Sequence, residues 1–325
     1  MDLVFLGTGG SAPTARRSTA CLLARIGGER LLFDCGEGSQ RQMQRSTGLV
    51  QADEIYITHL HADHYLGIPG LLKTYDLNGR DRELRVIGPP GLFDLFKALR
   101  RIFGRLAYEV DLIELEPGEA VPHSGYGVRS FEVEHGTRAY GYALVEDERP
   151  GRFDPAEAER LGVSAGPDFK LLQDGTAVEG SAGPVLPEQV MGESRPGRKL
   201  VVSGDTAPCE MTRVAAHEAQ LLVHDSSFAD EETARAAETG HSTGRQAAEL
   251  AAEAGVDMLA LVHISSRYDV RAVLGEAQEA FPRAVAPRDF DLIEIPFPER
   301  GEPRLLENGA RERPEAPPAE ASTIA

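Results

Sequence analysis

Three histidines and one aspartate follow one another within six residues, in the stretch Thr58-His59-Leu60-His61-Ala62-Asp63-His64. The stretch ends an apolar run, residues 54–58, that has the composition of a short strand. His59 and His61 are two positions apart, so on extended backbone their side chains point to the same side. Imidazole and carboxylate together suit zinc and similar borderline metal ions. The stretch therefore predicts part of a metal site at the end of a strand.

One loop cannot supply all the ligands of a metal site, and three further candidates stand directly after apolar runs. These candidates are His135, Asp205 and His263. Taken singly, each has an ordinary explanation, because a histidine at a strand end or an aspartate in a Gly-Asp turn is common. Taken together, they predict that several strand ends converge on one rim of a sheet structure and carry ligands there.

Length and composition describe a globular protein of one large domain or about two smaller ones, since the chain has 325 residues and is 41% apolar. No run approaches the ~18 apolar residues of a membrane span, and the first ten residues are typical of a strand rather than a signal peptide. The three cysteines, Cys21, Cys35 and Cys209, have no paired spacing. That spacing excludes a disulfide scaffold and a Cys-only zinc site, and it suits a reducing compartment. We therefore expect a cytoplasmic protein with no membrane association.

The chain is acidic, with 34 basic and 52 acidic residues and a net charge of −18. This balance argues against a surface built for nonspecific binding of nucleic acid. A local basic patch on the surface is still compatible with this net charge.

Strand and helix patterns alternate along much of the chain. This alternation usually indicates a parallel doubly wound sheet, but the first half is so rich in consecutive strands that two packed sheets with outer helices is the other interpretation. Apolar residues at three-to-four spacing predict helices at residues 66–77, 91–102 and 243–254. Strands are predicted at residues 3–6, 31–33, 54–58, 84–87, 127–133, 140–145, 199–202, 220–223, 258–262 and 291–295.

Residues 146–198 differ from the rest, because they are rich in proline and glycine and only weakly periodic. Asp154 as N-cap and Pro155 at the first helical position predict a short helix there. We interpret the segment as an inserted arm with little core of its own, and an elaborated linker is the alternative. Residues 308–325 have almost nothing to bury and are expected to be disordered.

The ligand pattern His-x-His-x-Asp-His, followed by a distant His, Asp and His, resembles that of the metallo-β-lactamase fold. The resemblance implies the fold class α/β: an αββα sandwich with a dinuclear metal site between its sheets. Further segments, spread over residues 3 to about 296, resemble the ribonuclease Z family of endonucleases, which remove the 3′ trailer from precursor tRNA. These segments are Phe5-Leu6-Gly7-Thr8-Gly9-Gly10, Phe33-Asp34-Cys35-Gly36-Glu37-Gly38-Ser39-Gln40, Gly204-Asp205-Thr206, His241-Ser242-Thr243 and His263-Ile264-Ser265-Ser266-Arg267-Tyr268.

The resemblance implies a complete set of metal ligands for two zinc ions in each subunit. Two ions about 3.5–4 Å apart can hold a phosphodiester and an attacking water between them. One zinc would be held by His59, His61 and His135, the second by Asp63, His64 and His263, and Asp205 would bridge the two.

The resemblance also implies which residues accept and donate protons in the reaction. Asp63 would accept the proton of the attacking water, and His241 would protonate the leaving 3′ oxygen. Asp225, in His224-Asp225-Ser226-Ser227, stands where the family has the glutamate of a His-Glu-Ala-Thr motif, and it would orient His241. The alternative for His241 is a residue at a helix N-terminus beside the caps Ser242 and Thr243.

Substrate contacts are implied for the insert and for one arginine. In the family the insert is an exosite arm that grips tRNA, here matched by Gly166 and Pro167, although the insert is not basic. Arg267 is the candidate for a phosphate contact on the catalytic face. The loop Pro13-Thr14-Ala15-Arg16-Arg17-Ser18 keeps the proline and an arginine of the family's Pro-x-Lys-x-Arg-Asn pattern but lacks its lysine and asparagine.

We therefore predict a two-zinc hydrolase that removes the tRNA 3′ trailer, with residues 1–307 as its catalytic domain. Its family is typically homodimeric, the arm of one subunit serving the site of the other, so a homodimer is expected. A metallo-β-lactamase-fold phosphodiesterase acting on small phosphodiesters is the first alternative, although such an enzyme does not require the insert. A non-catalytic RNA-binding module is the second, and it would need neither Asp63 nor His241.

Overall fold

Most strands bury apolar side chains on both faces, as β1 (Asp2–Gly7) and β2 (Cys21–Ile26) do. A sheet made of such strands must be covered on both sides. The computed structural model describes residues 1–309, and the chain divides into two units. One unit comprises Met1–Val145 and the chain from Arg198 onward, and the other is Glu146–Gly197.

The larger unit contains a first sheet of eight strands, in the order β17-β16-β1-β2-β3-β4-β5-β6. Besides β1 and β2 these are β3 (Glu29–Phe33), β4 (Glu54–Tyr56), β5 (Leu84–Gly88), β6 (Val110–Glu114), β16 (Leu292–Glu294) and β17 (Arg304–Leu306). Strands β3 to β6 are parallel, and parallel neighbours need crossover connections. Helices supply the crossovers: α1 (Ser39–Arg45), α2 (Ala62–Tyr65), α3 (Ile68–Leu77) and α4 (Leu92–Phe103).

The second sheet of this unit has seven strands, in the order β15-β14-β13-β12-β9-β8-β7. They are β7 (Ala120–His123), β8 (Tyr126–Glu132), β9 (Tyr140–Glu146), β12 (Lys199–Val202), β13 (Leu221–Asp225), β14 (Met258–Val262) and β15 (Ala284–Val285). Strands β12 to β15 are parallel, and β9 is antiparallel to β12. The accompanying helices are α7 (Glu210–Ala216), α8 (Thr233–Thr239), α9 (Gly244–Ala254) and α10 (Val270–Ala280), with short 3-10 turns at Asp230–Glu232 and Pro298–Arg300.

Side-chain alternation along the strands divides the core into layers. On β13, Leu221 and Val223 belong to the middle cluster, which contains residues of both sheets, whereas Leu222 packs on the outer side with Ala251 of α9. The first sheet is covered in the same way by α1, α3 and α4. Each buried Leu or Val side chain contributes about 1.5–3 kcal/mol by leaving water. The four layers are helix, sheet, sheet and helix, so the αββα prediction is confirmed and the doubly wound parallel sheet is wrong.

All ten predicted strands overlap strands of the structure, and the three predicted helices overlap α3, α4 and α9. Strands β2, β6, β7, β15 and β17 of the larger unit are not among the predictions. Among the described residues, no helix combines the length and the apolar character needed to cross a membrane.

The smaller unit, Glu146–Gly197, contains two helices and a hairpin. They are α5 (Pro155–Arg160), α6 (Pro167–Gln173), β10 (Val178–Gly180) and β11 (Gly183–Val185), with a 3-10 turn at Pro187–Gln189. The predicted cap is present, since the Asp154 side chain accepts a hydrogen bond from the Glu157 N–H at 3.0 Å. The prediction of little core is wrong, because six apolar side chains are buried together: Ala158, Val163, Leu172, Val178, Val185 and Val190. The predicted disordered tail, residues 308–325, lies from residue 310 on outside the described residues.

Candidate metal centre and active site

The motif at residues 58–64 begins where β4 gives way to a loop and ends in the first turn of α2. His61 occupies the N-cap position of α2, and Asp63 and His64 follow inside the helix. The His64 N–H donates to the His61 carbonyl at 3.1 Å, and His59 bridges to Ala139 beside β9. The change from extended to helical backbone therefore turns all four side chains of the motif toward one centre.

Three of the predicted ligands form a first group. His59 Nε2 lies 2.9 Å from His61 Nδ1, and His135 Nε2 lies 3.2 Å from the same His61 atom. Three imidazole nitrogens this close to one another could hold a metal ion.

The other four predicted ligands complete the site. His263 Nε2 is 3.4 Å and His64 Nε2 is 3.6 Å from Asp63 Oδ2, which forms a second group. Asp205 Oδ2 lies 3.2 Å from His263 Nε2 and 3.4 Å from His64 Nε2. The same oxygen is 3.8 Å from His59 Nε2, so Asp205 stands between the two groups.

The second nitrogen of each of four rings is held by a partner outside the centre. His64 Nδ1 is 2.7 Å from Asp34 Oδ2, His135 Nδ1 is 2.8 Å from the Gly240 carbonyl, and His263 Nδ1 is 2.8 Å from Ser227 Oγ. His59 Nδ1 is 3.1 Å from the hydroxyl of the preceding threonine. Such outer hydrogen bonds fix the orientation of metal-binding imidazoles.

The residues present fit a divalent metal ion. His64 Nε2 is buried and has no hydrogen-bond partner among the described residues, although a buried polar atom normally has one. Burial, reinforced by neighbouring imidazoles, lowers the pKa of His59 and His61, which favours the neutral form that binds metal. Burial also lowers the pKa of His64, but Asp205 and Asp34 outweigh it and raise that pKa well above its usual range. The two carboxylates thus favour a positive charge at His64. A bound metal ion would supply this charge in place of a proton.

His241 and Asp225 form a close pair beside this centre. His241 Nδ1 is 2.6 Å from Asp225 Oδ2, and Ser227 Oγ donates to Asp225 Oδ1 at 2.6 Å. The His241 ring lies against the rings of His135 and His263, at centroid distances of 4.9 and 5.4 Å. Burial lowers the pKa of His241, but the Asp225 carboxylate outweighs it and raises that pKa to about 9. The Asp225 carboxylate therefore favours the protonated ring, which can act as a proton donor.

Gly240, just before His241, has a conformation that only glycine adopts easily, with φ +69° at the end of α8. A Cβ atom there would lie 2.9 Å from the Gly136 nitrogen and 3.0 Å from the His135 Cα atom. The close approach brings the Gly240 carbonyl to His135 and places His241 beside it.

Of the predicted substrate contacts, only Arg267 belongs to the larger unit. Its guanidinium lies 5.5 Å from the ring centroid of Phe228 and 5.3 Å from that of Tyr268, and 3.3 Å from a Glu232 oxygen. Gly166 and Pro167 begin helix α6 in the smaller unit.

Several residues that shape the site carry no assigned role in the sequence analysis. Asp34 has φ +59° and accepts hydrogen bonds from the Thr58 N–H at 2.8 Å and from His64. Ser227 links Asp225 to His263, and the Ser11 N–H donates to Asp63 Oδ2 at 2.9 Å. A carboxylate directly after a predicted strand was the available signal for Asp34, whereas nothing local marks Ser11 or Ser227.

The fold and the seven convergent candidate ligands define a metallo-β-lactamase-fold protein with a candidate site for divalent metal. The same fold occurs in the Bacillus subtilis protein YhfI, with a TM-score of 0.65 at 16% identity over 90% of this chain and 98% of that one. A family model described as anti-Pycsar protein Apyc1 matches residues 1–145.

Relatives with far higher sequence identity show which family of this fold the chain belongs to. The chain is 48% identical to a ribonuclease Z of Methanosarcina acetivorans and 46% identical to one of Myxococcus xanthus, over 91% of this chain and at least 98% of each relative. The short form of human tRNase Z superposes with a TM-score of 0.67 at 26% identity, covering 91% of this chain and 100% of that one. The chain belongs to the ribonuclease Z family, which confirms the resemblance identified in the sequence.

Proposed function

We propose that this chain is a metal-dependent endoribonuclease that hydrolyses one phosphodiester bond of precursor tRNA. The reaction releases the 3′ trailer and leaves a 3′-hydroxyl on the tRNA. Membership of the ribonuclease Z family supports the activity. The observation that carries the proposal is the His241–Asp225 pair, 2.6 Å apart, whose imidazole packs against two rings of the metal centre.

Two zinc ions are the proposed cofactors, one on His59, His61 and His135, the other on Asp63, His64 and His263, with Asp205 shared. Their support is the donor set, since imidazole nitrogens and carboxylate oxygens are ligands that zinc takes. When bound, such ions polarise a phosphodiester and lower the pKa of a water molecule.

Asp63 is the proposed proton acceptor. Burial raises its pKa, but the contact with His263 and the charge of His64 outweigh burial and lower the pKa below its usual range. The carboxylate is therefore ionised and can accept a proton from the attacking water.

His241 is the proposed proton donor, and Asp225 is the residue that positions it. Because Asp225 holds Nδ1, the opposite nitrogen, Nε2, is free to give a proton to the leaving 3′ oxygen. Asp225 is fully buried, so its charge is little screened by water and acts strongly on the ring.

The remaining proposals concern the substrate and its binding. Arg267, whose side chain is 43% exposed, would contact a phosphate on the catalytic face. Gly166 and Pro167, both exposed at the start of α6, would contact the tRNA as part of an exosite arm.

A homodimer is proposed on the basis of exposed apolar side chains on two contacting helices. Leu77 of α3 and Phe93 and Ile102 of α4 are 76%, 53% and 71% exposed. Large exposed apolar side chains such as these are candidates for contacts with a second subunit. Light scattering should give twice the chain mass of 35.1 kDa, and a Phe93→Ser, Ile102→Ser variant should give the single mass. A wild-type monomer would contradict the proposal.

A cytoplasmic location is likewise proposed. All three cysteines are free and buried, as in proteins of reducing compartments.

A gel assay with a precursor tRNA that has a 3′ trailer tests the function, run beside bis(p-nitrophenyl) phosphate. Each substrate is incubated with the native protein, with the chelated protein and after zinc is added back. One metal-dependent cut at the trailer junction is expected. Hydrolysis of the small ester with the precursor left intact would instead favour the small phosphodiesterase.

A further inference from the structure

A groove of about 1070 Å³ lies beside the metal centre. We name it the arginine groove, since it is lined by Arg16, Arg17, Arg271 and Arg288 together with Gly10 and Ser265. Its volume exceeds the ~300–1,000 Å³ of pockets for single small molecules. The groove can therefore hold more than one nucleotide.

The arginine groove is positively charged although the chain as a whole is acidic. Within the described range 1–309, no carboxylate is at ion-pair distance from the exposed guanidinium groups of Arg16, Arg271 and Arg288. Arg17 is held in place, because its Nη1 donates to Thr8 Oγ1 at 2.8 Å. Three guanidinium groups are thus available to an anion.

The two carboxylates that line the groove are engaged in the fold. Asp269 caps α10 and accepts a hydrogen bond from the Arg271 N–H at 3.0 Å. Asp289 is buried and accepts from the N–H groups of Thr8 and Ser18 at 3.1 and 2.7 Å. Neither carboxylate pairs with an exposed arginine of the groove.

The arginine groove begins directly at the metal ligands. A Cβ atom on Gly10 would lie 2.6 Å from the His263 carbonyl oxygen, so the backbone of the groove wall touches this ligand. The neighbouring Ser11 N–H donates to Asp63 Oδ2, and Gly9 forms a bridge with Ile264. A polymer whose phosphate lies at the metal centre can continue into the groove without leaving the surface.

A second cavity, of about 310 Å³, lies on the side of His241. It is lined by His241, Phe228 and Arg267, and it shares only Gly10 and Ser265 with the arginine groove. If His241 protonates the leaving 3′ oxygen, the nucleoside that keeps this oxygen lies on the side of the second cavity. The other product, which keeps the attacked phosphate, then lies on the side of the arginine groove.

We propose that the arginine groove binds the first nucleotides of the single-stranded 3′ trailer, with Arg271 and Arg288 contacting its phosphates. The inference rests on the proposed function, since the direction of the RNA follows from the role of His241. Guanidinium groups suit this ligand because they form paired hydrogen bonds to phosphate oxygens.

The test compares two precursor tRNAs that differ only in trailer length, one nucleotide or about twelve. The Arg271→Gln, Arg288→Gln variant should raise KM for the long trailer about fivefold, as two exposed charge contacts would, with kcat unchanged. KM for the one-nucleotide trailer should stay within twofold of the native value. For the long trailer, the slope of log affinity against log salt concentration should become shallower by about 1.4, or 0.7 per lost phosphate contact.

Two controls accompany the variant. Arg41→Gln, Arg129→Gln removes the same charge from exposed arginines of α1 and β8 that do not line the groove, and it should leave both KM values unchanged. Arg271→Lys, Arg288→Lys keeps the charge and should restore most of the affinity for the long trailer.

Two results would overturn the proposal: an equal rise in KM for both trailers, or no change for either. These results differ from a failure of the proposed function itself. In that case the native protein would leave both precursors intact, whatever happened to the variants.

Discussion

His241 Nδ1 and Asp225 Oδ2 lie 2.6 Å apart, which is the distance of a strong hydrogen bond between a charged ring and a carboxylate. Asp225 ends β13, whereas His241 follows α8, so the contact joins two residues that are 16 positions apart in the chain. An aspartate therefore reaches the imidazole here, where the family motif has the longer glutamate.

Replacing Asp225 with asparagine should shift the pH dependence of kcat. Burial lowers the pKa of His241, and Asp225 outweighs this effect and raises the pKa to about 9. Because the protonated ring is the donor, kcat should be retained below this pKa and lost as the pH rises through it. In Asp225→Asn the loss should begin at lower pH, and kcat near pH 8 should fall about 10²-fold or more.

Rates measured from pH 6 to 10 on precursor tRNA test this prediction. His241→Ala serves as the reference, since it should lower kcat about as much but show no such alkaline limb. An unchanged pH profile in Asp225→Asn would show that Asp225 does not act through His241.

Asp34→Asn should weaken metal binding about 10–100-fold without unfolding the protein, because Asp34 holds His64 Nδ1 from outside the centre. Metal content after dialysis against graded chelator concentrations measures this effect. Asp81→Asn, an exposed carboxylate on the surface, is the matched control. Equal metal retention in the two variants would mean that Asp34 has only a structural role.

Gly240→Ala should destabilise the fold and loosen the site together. Alanine at this position would have to adopt a positive φ, and its Cβ atom would lie 2.9 Å from the Gly136 nitrogen. This strain should lower the free energy of unfolding by about 1–3 kcal/mol. Thermal unfolding should give a lower Tm, and metal titration should give a lower metal affinity. Gly255→Ala, also at positive φ but with open space around its Cβ position, should lower Tm alone. Unaltered metal affinity in Gly240→Ala would contradict the role of its carbonyl at His135.

Leu172→Ala should unfold the smaller unit selectively, because Leu172 is fully buried in its six-residue core. Removing such a side chain lowers the free energy of unfolding by about 2–5 kcal/mol, which is a large share of the total stability of a unit of this size. Limited proteolysis should cut within residues 146–197, KM for precursor tRNA should rise, and hydrolysis of bis(p-nitrophenyl) phosphate should persist. Leu171→Ala, at a 42% exposed neighbour, is the control. If protease cuts the smaller unit of Leu172→Ala but the variant still cleaves precursor tRNA normally, the smaller unit has no role in substrate binding.

The convergence of the seven candidate metal ligands could be predicted from the sequence, because these residues are either close in the chain or stand at strand ends. His59, His61, Asp63 and His64 form one short cluster, and the other ligands stand at the ends of apolar strands. Asp34 also follows a predicted strand, but its partner His64 is 30 residues away in the chain, so the sequence did not connect the two residues.

The fold was predictable to a similar extent. Ten strands were found from their apolar runs, but β6 and β7 lack such a run, since Val110–Glu114 carries two acids and Ala120–His123 contains a proline. The core of the smaller unit was missed because its valines and leucines are scattered among prolines and glycines. Only the tertiary structure brings them together.

The most direct test of the central claim is the chemistry of the product ends. Native protein loaded with zinc is incubated with a 3′-extended precursor tRNA, and both fragments are analysed by mass spectrometry. The account predicts one cut at the trailer junction, a 3′-hydroxyl on the tRNA, a 5′-phosphate on the trailer, and no cut by Asp63→Ala. A 2′,3′-cyclic phosphate on the tRNA fragment, or equal cleavage by Asp63→Ala, would contradict the account.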